Sequence, residues 1–200
     1  MFKNAIVLTG GIATGKSSVC NFLRLYGFEI IDADSVAHES LDENIQAIGE
    51  IFGLEYIKNS KVDRKKLGKL IFSDESSREK LENFIHPIIK AKIKKRSEAF
   101  ENKNIPYIID IPLFFEKKNY DIKEIILVYA PKEQQIKRLM SREGYNKEES
   151  NERINAQMPI DDKKSLASFV IDNSKDLKHM QKEVERFLSY IKIKYPTLKI

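Results

Sequence analysis

Gly10-Gly11-Ile12-Ala13-Thr14-Gly15-Lys16-Ser17 decides the reading of this chain. It fits the pattern G-x-x-x-x-G-K-[ST] at every fixed position. The apolar run Asn4–Thr9 precedes it and reads as a strand. Ser17–Tyr26 follows, with Val19, Phe22, Leu23 and Tyr26 at helical spacing and Gly27 as a stop. Strand, loop and helix in that order make a phosphate cradle. The glycines let the chain curl so that main-chain N–H groups point inward, and the helix aims its positive end at the same place. Lys16 adds a full charge near the β and γ phosphates, and the Ser17 hydroxyl is placed for Mg²⁺, with Ser18 beside it. The expected ligand is a nucleoside triphosphate.

Outward from the loop, strand patterns alternate with helical ones. Phe28–Ile31, Tyr107–Ile111, Glu124–Tyr129 and Phe169–Ile171 read as further strands. Helical patterns cover Ser35–Phe52 with a break near 42–44, then Asp63–Phe72 and Asp74–Phe84, each opened by a capping aspartate. Pro87 is expected to interrupt, with a Lys-rich helix running on to about Asn102. Lys132–Arg142, Lys147–Gln157 and Asp176–Ile193 are also helical. Buried strands separated by helices imply an α/β fold, a five-stranded parallel sheet with helices on both faces. Residues 34–104 are too helical for a minimal strand–helix repeat and read as a substrate-binding insertion. The polar segment 143–160 reads as a lid, and the core is 1–33, 105–142 and 161–200.

Composition narrows the classes. An apolar fraction of 42% over 200 residues can supply a core. No apolar run reaches 18 residues, so no membrane partner is expected. One cysteine, Cys20, leaves no internal disulfide, and with no signal-peptide pattern at the start the expected place is the cytoplasm. A net charge of +5 fits a solvated Lys-rich surface. The basic run Lys90–Arg96 has no interleaved aromatic for base stacking, so no nucleic acid is expected. The chain is expected to be a monomer or weak homo-oligomer.

A switch GTPase would need Asp three positions before a Gly, and none of the eight glycines has one. A motor would want an acidic pair ending a strand; Ile108-Ile109-Asp110-Ile111-Pro112 offers one acid. A small-molecule kinase using ATP remains, and the acceptor side supports it. Strand two ends Ile30-Ile31-Asp32-Ala33-Asp34, and the carboxyl ends of parallel strands face the ligand cleft. With strand two beside the loop strand, Asp34 stands near the γ-phosphate as a base for an attacking hydroxyl. Asp34 could instead cap the helix from Ser35, and Asp32 could orient it or reach Mg²⁺ through water. His86 could bind an acceptor phosphate or ribose, or bond a carbonyl at a kink. Gln135, Arg138 and Arg142 share a helix face, and Arg153 and Gln157 repeat the spacing. Such arginines close over triphosphate or pair with surface carboxylates. A nucleoside or nucleoside monophosphate kinase, and a non-catalytic nucleotide sensor, are the alternatives.

Beyond these residues, the chain resembles the dephospho-coenzyme A kinase family over essentially its whole length. Leu8–Ser18 is similar to that family's L-T-G-G-I-G-S-G-K-S-T, and Ile31–His38 resembles its I-D-A-D-x-x-A-[RH]. Leu81 to His86-Pro87, Ile111-Pro112-Leu113-Phe114-Phe115-Glu116, Gln135–Arg142, Arg153–Gln157 and Val170–Asn173 resemble further motifs in the same order. Ala13-Thr14, Ser18, Ser168 and Ser174 depart from the commoner residues. The resemblance implies ATP and dephospho-CoA as substrates, Mg²⁺ as cofactor and Asp34 as base. Lys16, Arg138 and Arg142 would stabilise charge. It places ATP on Gly11, Ile12, Ala13, Thr14, Gly15, Lys16, Ser17 and Ser18, with Arg142 and Asn173 flanking adenine. Asp32, Asp34, His86, Pro112 and Leu113 would face the acceptor.

Overall fold

The computed structural model describes residues 2–117 and 119–196. Its centre is β1 (Ala5–Gly10), buried at all six positions, as an apolar strand covered on both faces must be. The other strands of the sheet are β2 (Ile30–Asp32), β5 (Tyr107–Asp110), β6 (Glu124–Tyr129) and β7 (Phe169–Asp172). β3 (Ile57–Lys58) and β4 (Lys61–Val62) form a separate two-stranded ribbon. The sheet order is β2-β5-β1-β6-β7, and β1 is parallel to β5 and β6, as β6 is to β7. The expectation that strand two lies beside the loop strand is therefore corrected: β5 lies between them. Short apolar runs show that strands exist, but their order is fixed by the crossovers. In register, Leu8 stands opposite Asp110, so the acid ending β5 is next to the start of the loop.

The chain divides into two compact units. One comprises the described residues up to Ile31 and from Ala99 onward; the other is Asp32–Glu98. In the first, α1 (Lys16–Leu25) and α10 (Leu177–Lys194) carry apolar stripes into a core with the sheet. Val19 and Leu23 meet Ile6 and Leu8 there, with Val184 and Phe187 in the same cluster. Phe187 lies 5.4 Å from Phe169 in an edge arrangement. Ser168 closes the start of β7: its Oγ donates to Lys123 O at 3.0 Å and accepts Ile125 N–H at 3.2 Å.

The same unit holds α6 (Phe114–Lys117), α7 (Lys132–Glu143), α8 (Lys147–Asn155) and α9 (Ile160–Leu166). Gly144 ends α7 at φ 73°, a left-handed stop that glycine adopts without strain. α8 opens with a reciprocal box between Asn146 and Glu149. The sequence reading covers α7 and α8 but misses α6 and α9, which are only four and seven residues long.

The second unit contains α2 (Ala33–Glu43), α3 (Ile45–Phe52), α4 (Arg64–Ser73) and most of α5 (Glu75–Asn102). Asp63 caps α4 through Lys66 N–H at 3.0 Å, and Asp74 accepts Ser77 N–H at 2.9 Å. The β3–β4 ribbon, unread in sequence, turns on Asn59 and Ser60 at φ 51° and 55°. Two left-handed residues in a two-residue loop match the twist of a hairpin. The break expected at Pro87 is absent: α5 is one helix of 28 residues. Leu81, Ile85, Ile89 and Ile93 bury one stripe across the proline, so packing outweighs the lost backbone bond.

Candidate active site

The phosphate loop is held from behind by side chains. Arg138 on α7 donates to Ala13 O at 3.3 Å, Thr14 O at 3.2 Å and Asn173 O at 2.8 Å. Burial lowers its pKa from the ordinary value. Asn173, just past β7, donates Nδ2 to Thr14 O at 2.8 Å. Thr14 is buried and donates its hydroxyl to Gly11 O at 2.9 Å. Ala13 takes φ 59° and Gly15 φ 91°. A Cβ on Gly15 would stand 2.1 Å from Asn173 Nδ2, so only glycine fits there. α1 begins at Gly15 with no side-chain cap and no acid in its first turn. Its first N–H groups are therefore left for an anion.

Two cavities flank this loop. One of about 240 Å³ is lined by the loop, including Lys16 and Ser17, with Pro112, Arg142 and Gln157. The other, about 650 Å³, is lined by Gly15 and Ser18, by Arg138 and Arg142, and by Asn173 and Lys175. Their shared wall runs through Ala13, Gly15 and Arg142. Arg142 is exposed, and its Nε donates to Glu143 at 2.8 Å. Ser17 and Ser18 are exposed. Pro112 O accepts the Thr9 hydroxyl at 3.0 Å, and Leu113 lies on the surface.

Lys16 Nζ ion-pairs with both carboxylate oxygens of Asp110, at 2.6 Å to Oδ2. Cys20 donates its thiol to the same Oδ2 at 3.4 Å. Burial, then the Asp110 charge, pushes the thiol up to about 12, so it stays a neutral donor. Asp110 is absent from the sequence-read site, though an acid closing an apolar strand is a legible sign of a cleft residue.

A second buried pair was not legible. Lys163 on α9 has no exposure, yet Asp161-Asp162-Lys163-Lys164 reads like surface sequence. Its Nζ lies 2.7 Å from Glu116 Oε1 and donates to Gly10 O at 3.2 Å. Glu116 Oε1 also accepts Met158 N–H at 3.1 Å. Gln157 Oε1 accepts Ile12 N–H at 2.8 Å. Gln135 is buried, with its amide on Ala130 O at 2.8 Å. It supports the fold rather than lining either cavity.

The turn after β7 is set by Asp172, which accepts the Ser174 N–H at 2.9 Å and its hydroxyl at 3.0 Å. Burial pushes this carboxyl up, but the Ser174 bonds and His179 outweigh it and hold it below its ordinary value. Serine, in place of the commoner glycine, thus adds a hydroxyl bond to the turn.

Asp34 and His86 lie in the second unit. Asp32 ends β2 and caps α2, accepting Ser35 N–H at 2.9 Å. The cap is therefore Asp32 and not Asp34, because α2 starts two residues earlier than the sequence reading puts it. Asp34 is the acid in the first turn of α2, where the helix dipole favours a carboxylate. His86 is half-buried within the unbroken α5.

Comparisons with known proteins cover nearly all of the chain. A family model described as dephospho-CoA kinase matches residues 4–179. The dephospho-CoA kinase of Sulfurimonas denitrificans is 52% identical over 194 residues, 97% of each chain. Among solved structures, the dephospho-CoA kinase from Campylobacter jejuni is 33% identical, with a TM-score of 0.68 over 94% of this chain and 97% of that one. TT1252 from Thermus thermophilus is 30% identical, with a TM-score of 0.80 over 93% and 96%.

Proposed function

The chain belongs to the dephospho-CoA kinase family, and from that premise we propose that it transfers the γ-phosphoryl group of ATP to the ribose 3′-hydroxyl of dephospho-CoA. The products are CoA and ADP, and the step is the last of CoA biosynthesis. The observation that carries the reading is the extent of the match. Residues 4–179 take in the whole Asp32–Glu98 unit as well as the phosphate loop. A loop alone would support only nucleotide binding.

ATP lies with its phosphates on Gly11 to Ser18 and its base in the larger cavity beside Asn173 and Arg142. Lys16 exchanges Asp110 for the phosphates as they arrive, and Arg142 neutralises charge on the transferred group. Arg138 acts by holding the loop carbonyls in place. Asp34 takes the proton of the acceptor hydroxyl; Asp32 Oδ1 is committed to its cap. Residues 34–104, with His86, hold the acceptor, with Pro112 and Leu113 contributing from the core. Residues 143–160 act as a lid that excludes water.

The residues present suit Mg²⁺. This ion prefers oxygen and keeps few protein ligands when phosphates share it. The Ser17 hydroxyl, with the Asp110 carboxylate, offers that donor set, and the bound ion would offset phosphate charge. The enzyme works in the cytoplasm as a monomer or weak homo-oligomer, without nucleic acid or membrane partners. Among the described residues no helix is long and apolar enough to cross a membrane.

An ADP-release assay with dephospho-CoA, AMP, CMP and shikimate tests the reading. Turnover with dephospho-CoA alone is expected. Turnover only with a monophosphate, or with none of them, overturns it.

A further inference from the structure

Gln157 follows α8, where the chain crosses the phosphate loop. Its Oε1 accepts the N–H of Ile12 at 2.8 Å. That donor fixes which end of the carboxamide is oxygen. The other end, Nε2, carries two N–H donors, and Gln157 lines the 240 Å³ cavity together with Lys16 and Ser17. With Oε1 on the loop, Nε2 is the polar group the side chain has left for that cavity.

The backbone here is fixed by a second attachment. Met158 N–H donates to Glu116 Oε1 at 3.1 Å, and Glu116 pairs with Lys163, which donates to Gly10 O at 3.2 Å. Gln157 is thus tied to the loop at Ile12, and its neighbour is tied through a buried ion pair to Gly10. A donor held this way needs no rearrangement when charge arrives.

Position along the nucleotide follows from the cavities. Gln157 and Pro112 line the smaller cavity and are absent from the wall of the larger one beside Asn173 and Lys175. With the base in the larger cavity, Gln157 stands at the opposite, terminal end of the triphosphate. We propose that Gln157 is a catalytic residue that donates its Nε2 to a γ-phosphoryl oxygen of ATP while Oε1 stays on Ile12. It adds hydrogen bonds to the transferred group without adding charge, beside the ammonium of Lys16.

The inference rests on ATP being the donor, and its test reads nucleotide binding without the acceptor. Gln157→Glu keeps an acceptor for Ile12 and replaces the donor with an anionic oxygen. Its affinity for ATP is expected to fall roughly tenfold or more, with ADP affinity within about twofold of wild type, and kcat should fall with it. Equal losses for ATP and ADP, or no loss for either, overturn the proposal. Should that variant not fold, NMR on the wild-type chain decides. The Gln157 side-chain amide signals should move further with a non-hydrolysable ATP analogue than with ADP, and an identical response overturns the assignment. A wild-type chain that binds no ATP sinks this proposal and the kinase reading together. One that binds ATP, shows the ATP-over-ADP difference and ignores dephospho-CoA sinks only the acceptor.

Discussion

Gly15 in the phosphate loop and Asp34, the proposed base, each permit a sharp substitution. Gly15 holds φ 91° with the Asn173 amide where a methyl would go. Gly15→Ala must break the Asn173 bond to Thr14 O and also bear a left-handed alanine, which costs about 1–2 kcal/mol by itself. Calorimetry should show ATP binding lost or weakened at least tenfold, and melting should show a lower Tm. Asp34→Asn changes no shape but removes the proposed base. Turnover should fall by about 100-fold or more, with ATP affinity close to wild type. Undiminished turnover would reject the base assignment. At this scale the loop was legible because its pattern is a direct statement of backbone needs. Asp110 was visible as a lone acid at a strand end, but its partner Lys16 and the Cys20 thiol emerged only once β5 was seen beside β1.

Among the elements, α5 and the Glu116–Lys163 link between α6 and α9 are the informative ones. Pro87 removes one backbone bond inside α5 yet lies at an exposed position. Pro87→Ala should restore that bond. An interior proline costs about 3 kcal/mol against alanine, and its stiffening of the unfolded chain returns only about 0.4–1 kcal/mol. A net gain of about 2 kcal/mol is expected from those terms, read as a higher denaturant midpoint with unchanged slope. Lys163→Met acts in the other direction. It strands the Glu116 carboxylate, and breaking a buried pair costs about 3 kcal/mol or more. Adding Glu116→Gln to it should recover part of that loss in a double-mutant cycle; strictly additive losses would mean that the pair is not coupled. Helices with caps and long stripes were readable: Asp63 and Asp74 sit where they cap. The β3–β4 ribbon was not, since Asn59-Ser60 lacks the glycine that usually marks such a turn. Pro87 does not break α5 because its local propensity is outweighed by a buried stripe that only tertiary packing reveals.

Over the whole molecule, the order β2-β5-β1-β6-β7 determines what touches the loop. Periodicity identified all five strands of this sheet, but neighbour relations depend on crossovers that no short window contains. Cys20 reports on the integrity of this assembly. It is 3% exposed, and its thiol is pushed up to about 12, above the ordinary value. A group whose pKa is raised by folding contributes stability that is complete below its unfolded pKa, about 8.5. That contribution is lost as pH rises toward 12. The native protein should therefore resist iodoacetamide at pH 8 and be alkylated only as fast as it opens, while stability should decline from pH 9 upward. Rapid native labelling, followed by mass spectrometry, would contradict this burial.

The grip of Arg138 and Asn173 on the carbonyls of Ala13 and Thr14 has a thermodynamic corollary. Contacts internal to the chain hold the loop's shape, so little chain disorder should be forfeited if a triphosphate is captured there. Arrival should be quick, and preferences among nucleotides should show in how slowly each departs.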